Sequence, residues 1–159
     1  MGEEAEERAI YWLDAVVIQG GRLAGSEHHH FDAHFFAIAL FKAASWLQKL
    51  PKAPGETSAD PIGLFIKHFL TEARAIRNML EHEEDYRSGK GRCQSEYIRT
   101  VKLNKGRLSA TLPPFTIVHS DEGLSLAGRI SVVSAVHESK SILAALRVRN
   151  TQVSRSSSE

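Results

Sequence analysis

Cysteine occurs once in this chain, at Cys93. No disulfide can form within one copy, so a disulfide-stapled framework is excluded and a reducing compartment is the expected setting. Long apolar runs are missing too. The longest, Phe35 to Phe41, falls far short of the roughly 20 residues that span a bilayer. The opening Gly2-Glu3-Glu4-Ala5-Glu6-Glu7-Arg8 is acidic and holds no apolar segment, so no secretory leader is expected and a cytoplasmic location is. Gly89-Lys90-Gly91 is too short for a phosphate-cradling loop. No H-E-x-x-H pair is present, nor any internal repeat or long low-complexity segment. No cofactor and no metal are expected.

What remains is ordinary globular material. The chain has 159 residues, 42% apolar and 25% charged, enough for one domain with a substantial core. Its charge is unevenly placed: residues 1–90 hold 10 Lys/Arg against 14 Asp/Glu, and residues 91–159 hold 10 against 5. A basic half can meet a phosphate backbone, although imbalances of this size are common on surfaces with no such role.

Periodicity divides the chain. Ala9, Leu13, Val16 and Val17 recur at helical spacing over Glu3–Ile18, and Gly20-Gly21 is expected to interrupt or end that helix. A second helix is expected from an N-cap at Ser26 to Leu50, stopped by Pro51. Its wide stripe (Phe35, Phe36, Ile38, Leu40, Ala43, Leu47) suits packing on several neighbours. A third has Asp60 as N-cap and Pro61 at its first position, buries Phe65, Phe69, Ala73, Ile76 and Leu80, and is expected to fade after Tyr86. From Tyr97 the pattern alternates, with β-branched residues in "YIRTVKL", "RLSATL" and "FTIVHS" and turn signals at "NKG" and "DEG". A last helix starts near Ser131, with Val132, Val136, Leu143 and Leu146 facing the core. The expected fold is all-α: a four- or five-helix bundle over residues 1–150, with one or two small β-hairpins inserted at about 97–128 and a disordered tail at 151–159.

The informative stretch is "EARAIRNMLEHEEDY", residues 72–86. Arg74, Asn78 and His82 step by four along one helix face. Arg77 lies about 140° round the axis from His82 and about 7.5 Å away in rise, close enough for its long side chain to share a ligand. A cation, an amide and an imidazole are what RNA cleavage without a metal requires. Histidine moves the protons of the 2′-hydroxyl and the 5′-oxygen. An arginine fork matches the charge gathered on phosphorus. Asparagine holds phosphate or base without adding charge. The same residues also read as a solvated helix face, with Arg77 and Glu81 an ordinary i,i+4 pair worth a few tenths of a kcal/mol.

The stretch "IRNMLEHEEDYRSGKG", late in a long helix of a helical chain of this size, resembles the HEPN superfamily (higher eukaryotes and prokaryotes nucleotide-binding). Its hallmark is Arg, four to six residues, then His, with a polar residue often following the Arg. Beyond the motif the resemblance is topological, over roughly residues 1–90 and the last helix. It implies a homodimer in which two motif helices face one cleft, forming a metal-independent endoribonuclease site. Arg77 would stabilise the phosphate, Asn78 would orient it, and His82 would act as general acid or base. Arg74, Arg87 and Lys90 are further substrate-binding candidates. Many such proteins are toxins or defence effectors, some paired with an antitoxin. Others are non-catalytic bundles that bind a nucleotide, RNA or a protein partner. Members paired with nucleotidyltransferase antitoxins carry Tyr two residues after the His. Here Glu84 stands there and Tyr86 comes two later, so that regulation is not expected. Glu81, Glu83, Glu84 and Asp85 crowd His82 and repel a polyanion, with Arg87, Lys90 and Arg92 to offset them.

Three further features carry weaker signals. His28, His29, His30 and His34 include an i,i+4 pair that suits adventitious metal binding better than a dedicated site. Cys93 has no histidine near it in sequence. Tyr97 and Phe115 in the basic half suit a plain exposed sheet face better than an RNA-binding ribbon.

Overall fold

The computed structural model describes residues 2–25, 30–51 and 60–156. It is mostly helical, with two small antiparallel sheets. The long helices are α1 (Gly2–Ala24), α2 (His30–Leu47), α3 (Pro61–Glu81) and α6 (Val132–Ser156), and two short ones, α4 (Glu83–Arg87) and α5 (Gln94–Tyr97), follow α3. Between α5 and α6 run β1 (Arg99–Leu103), β2 (Leu108–Leu112), β3 (Ile117–Ser120), β4 (Gly123–Leu126) and β5 (Ile130–Ser131). Among the described residues no helix is long and apolar enough to cross a membrane.

Helix α1 does not end at its glycines. It runs through Gly20-Gly21 to Ala24 because Gly20 is a packing residue. A Cβ there would lie 2.2 Å from Cγ2 of Val136 on α6 and 3.5 Å from the Phe36 ring on α2. The missing side chain lets three helices converge. The expected cap at Ser26 lies outside the described residues. Helix α2 ends at Leu47, and a turn carries the chain to Leu50 and Pro51. Its stripe divides: Phe36, Ala37, Leu40, Ala43, Ala44 and Leu47 are buried, whereas Phe31 and Phe35 are more than half exposed.

Helix α3 begins as its sequence suggests, with Asp60 in extended conformation and Pro61 in the first turn. It buries Phe65, Phe69, Leu70, Ala73, Ile76 and Met79. It stops earlier than expected, at Glu81. His82 adopts φ −120° and ψ 35°, and α4 restarts at Glu83. The charges explain the break. Carboxylates oppose the dipole at a helix C-terminus and favour it at an N-terminus. Breaking at His82 places Glu83, Glu84 and Asp85 in the first turn of a new helix.

Helix α1 packs on α2 and α6, α2 on α3, and α3 on α6. Their apolar faces meet in one core containing Leu13, Val16, Phe36, Leu40, Phe65, Ile76, Leu143 and Leu146, joined by Leu124, Leu126 and Ile130 from the strands. Trp12 and Trp46 stand half-buried at its edge. Arg147 grips both Asp14 oxygens at 2.9 and 2.6 Å, tying α6 to α1.

The strand region holds more than two simple hairpins. β1 and β2 form one, through a turn with positive φ at Asn104, Lys105 and Gly106. β3, β4 and β5 form a three-stranded meander. The two tips are tied together: the Asp121 N–H donates to Asn104 Oδ1 at 2.9 Å, and Arg107 reaches Asp121 at 2.6 Å. Ser131 caps α6, accepting the Ser134 N–H at 3.1 Å. The α6 backbone continues to Ser156, past residue 150, where composition placed the start of a tail.

Candidate functional site

The motif residues lie at the end of α3 that meets α4. Arg77 is half-buried and held from three sides. Its Nη1 donates to Asn78 Oδ1 at 3.3 Å, its Nη2 meets Glu81 at 2.5 Å, and its guanidinium carbon stands 5.1 Å from the centroid of Phe41 on α2. Arg74, one turn earlier, reaches the same ring at 5.7 Å. Two guanidiniums therefore share one aromatic ring at the α2–α3 contact. Sequence spacing anticipated the Arg77–Glu81 pair but not Phe41, since no periodic signal distinguishes Phe41 from its core-facing neighbours.

His82 stands apart from this cluster. Its backbone N–H donates to the Asn78 carbonyl at 3.1 Å, continuing the last turn of α3. Its imidazole is exposed and, among the described residues, has no hydrogen-bond or ion-pair partner. The surrounding carboxylates do not clamp it: Glu81 is taken by Arg77, and Glu83 by Arg87 at 2.6 Å. The structure thus joins Arg77 to Asn78 and leaves the His82 ring open to solvent, where it can meet a ligand.

Of the further binding candidates, Arg87 is engaged within its own chain. The Tyr97 hydroxyl and then the Glu83 carboxylate hold its guanidinium pKa above the ordinary value. Lys90 is exposed just after α4, and its backbone N–H caps onto the Asp85 carbonyl at 2.8 Å. The α4 region is fixed by a small second core in which Tyr86 stacks on Tyr97 at 5.2 Å, over buried Met79. Gly91 allows this, since a Cβ there would lie 2.2 Å from the Tyr86 ring. The Tyr86 hydroxyl accepts the Cys93 N–H at 3.2 Å, and the Cys93 side chain is exposed.

The strand insertion is anchored beside the motif. Arg99 of β1 bonds Glu72 of α3 at 2.9 Å and Glu96 at 3.2 Å, and these bonds raise its pKa. Arg129, before β5, donates to the Glu96 carbonyl at 2.6 Å. Burial lowers the Arg129 pKa, and the nearby Arg99 charge lowers it further. Sequence reasoning missed this network because, apart from the i,i+3 pair Glu96–Arg99, its members are far apart in the chain.

His28 and His29 lie outside the described residues. Among the described residues no group of three or more His, Cys, Asp or Glu is placed to hold a metal. Comparison with protein-family models, with curated proteins and with solved structures returned no significant match.

Proposed function

We propose that this chain is a HEPN-type endoribonuclease that cleaves RNA without a metal, as a homodimer with two motif helices lining one cleft. The observation that carries the reading is the arrangement at the end of α3. An arginine and an asparagine are already hydrogen-bonded to each other, and a histidine four residues on presents an unengaged imidazole. The contacts of α1 with α2, α2 with α3, α3 with α6 and α6 with α1 support a four-helix bundle as the frame.

In this reading the 2′-hydroxyl attacks the adjacent phosphorus, and the 5′-oxygen leaves. The products are a 2′,3′-cyclic phosphate and a 5′-hydroxyl. His82 moves a proton at one of those two oxygens. Arg77 stabilises the charge on the phosphoryl oxygens, with Asn78 orienting the group and Arg74, Arg87 and Lys90 holding the flanking backbone. A cytoplasmic toxin or defence effector, with or without an antitoxin, is the corresponding biological role. A second reading, a non-catalytic bundle that binds RNA, a nucleotide or a protein, is favoured by the Glu81 carboxylate, which already occupies Arg77.

The test is incubation of wild type and His82→Ala with mixed RNA oligonucleotides in excess EDTA, followed by end analysis. Cleavage by wild type alone, leaving cyclic phosphate ends, supports catalysis through His82. No cleavage by a folded wild-type dimer favours the binding module. Equal cleavage by both proteins rejects the motif as the site.

A further inference from the structure

Phe41 gathers two like charges. The guanidinium carbons of Arg74 and Arg77 stand 5.7 and 5.1 Å from its ring centroid. The electron-rich ring face attracts both, and the carboxylate of Glu81 lies against Arg77. That carboxylate meets Nη2 at 2.5 Å, with the same chemistry by which a phosphate oxygen binds an arginine fork. Glu81 is an exposed residue in the last turn of α3. It can swing into water without disturbing the buried face of the helix.

Resting on the ribonuclease reading, we infer that Phe41 and Glu81 together set the affinity of the Arg74–Arg77 pair for a phosphodiester. Phe41 is a positioning residue that holds both guanidiniums at one spot. Glu81 is an internal competitor that occupies Arg77 until a phosphate displaces it. Neither touches the reacting atoms. The ligand class is a single-stranded RNA backbone, and the exchange of one oxyanion for another at Arg77 involves no covalent step.

The experiment is fluorescence anisotropy with a short, fluorescein-labelled, fully 2′-O-methylated RNA, which cannot be cleaved by 2′-hydroxyl attack. Glu81→Gln is expected to tighten binding about fivefold, through loss of the competing pair and of carboxylate–phosphate repulsion. The gain should vanish in an Arg77→Met background. Glu84→Gln, which removes a neighbouring charge that does not touch Arg77, should give clearly less. Phe41→Leu should weaken binding about threefold, and Phe41→Tyr, which keeps the ring, should retain wild-type affinity. An equal gain from Glu84→Gln, a gain that persists without Arg77, or no gain at all overturns the inference. Cleavage of unmodified RNA, measured on the same preparations, separates the two claims. A tighter Glu81→Gln complex with no wild-type cleavage keeps this inference and removes the ribonuclease reading. His82-dependent cleavage with unchanged Glu81→Gln binding does the reverse.

Discussion

Adjacent glycines in α1 should respond to the same substitution with opposite sign. At Gly21 an added Cβ meets nothing within 4 Å. Gly21→Ala therefore collects the helix-propensity difference alone, about 1 kcal/mol of added stability. At Gly20 the same gain is set against a Cβ placed 2.2 Å from Val136 Cγ2. Relieving that overlap requires a shift of more than about an ångström in a stiff β-branched side chain on a packed helix. Overpacking of this kind costs about 1–3 kcal/mol, and such close contact belongs near the upper end. The net for Gly20→Ala is a loss of about 1–2 kcal/mol. At this chain length that lowers the melting temperature by roughly 2–4 °C per kcal/mol. Reversible urea denaturation of wild type and both variants measures it. Adding Val136→Ala to Gly20→Ala removes the clash, and a double-mutant cycle should show positive coupling of about 1 kcal/mol or more. Equal stabilisation by Gly20→Ala and Gly21→Ala would refute the α1–α6 crossing drawn here.

Other outcomes follow from the site. His82→Ala should leave the melting temperature within about 1 °C, because the ring is exposed and unbonded, and under the proposed ribonuclease reading it should reduce RNA cleavage by roughly 10²–10⁴. Gly91→Ala should displace Tyr86 from its stack on Tyr97, destabilising the region after α3 and raising amide exchange there, read by hydrogen–deuterium exchange. Tyr86→Phe removes the acceptor for the Cys93 N–H and should cost about 1 kcal/mol in chemical denaturation. Arg129 has Nε and Nη1 buried without a partner. Arg129→Met should therefore be near neutral or stabilising in the same assay, despite losing the bond to Glu96.

The helical periods of α3 and α6, the Pro61 start and the Ser131 cap were legible because they are local. Each depends on residues within a turn or two of one another, where spacing alone decides which side chains share a face. The alternation after Tyr97 was equally readable, although the third strand of the meander, only Ile130–Ser131, is too short to leave a period. The motif from Arg77 to His82 was visible for the same local reason. Its break at His82 was less so, since helix periodicity alone would have carried α3 on to Tyr86.

Distance along the chain hid the rest. Gly20 reads as a helix stopper until Val136 is brought against it from 116 residues away. Phe41 reads as one more apolar residue of α2 until α3 lays Arg74 and Arg77 on its ring. Glu72 and Arg129 lie far from the local pair Glu96–Arg99, yet the four tie the strands to the motif helix. By itself the sequence determined the type and approximate place of the long helices and of the strand region, and which side chains could offer acid–base and phosphate chemistry, because backbone periodicity and side-chain type are properties of short segments. Tertiary structure decided which of those groups engage one another, because that depends on packing between segments whose separation leaves no trace in spacing.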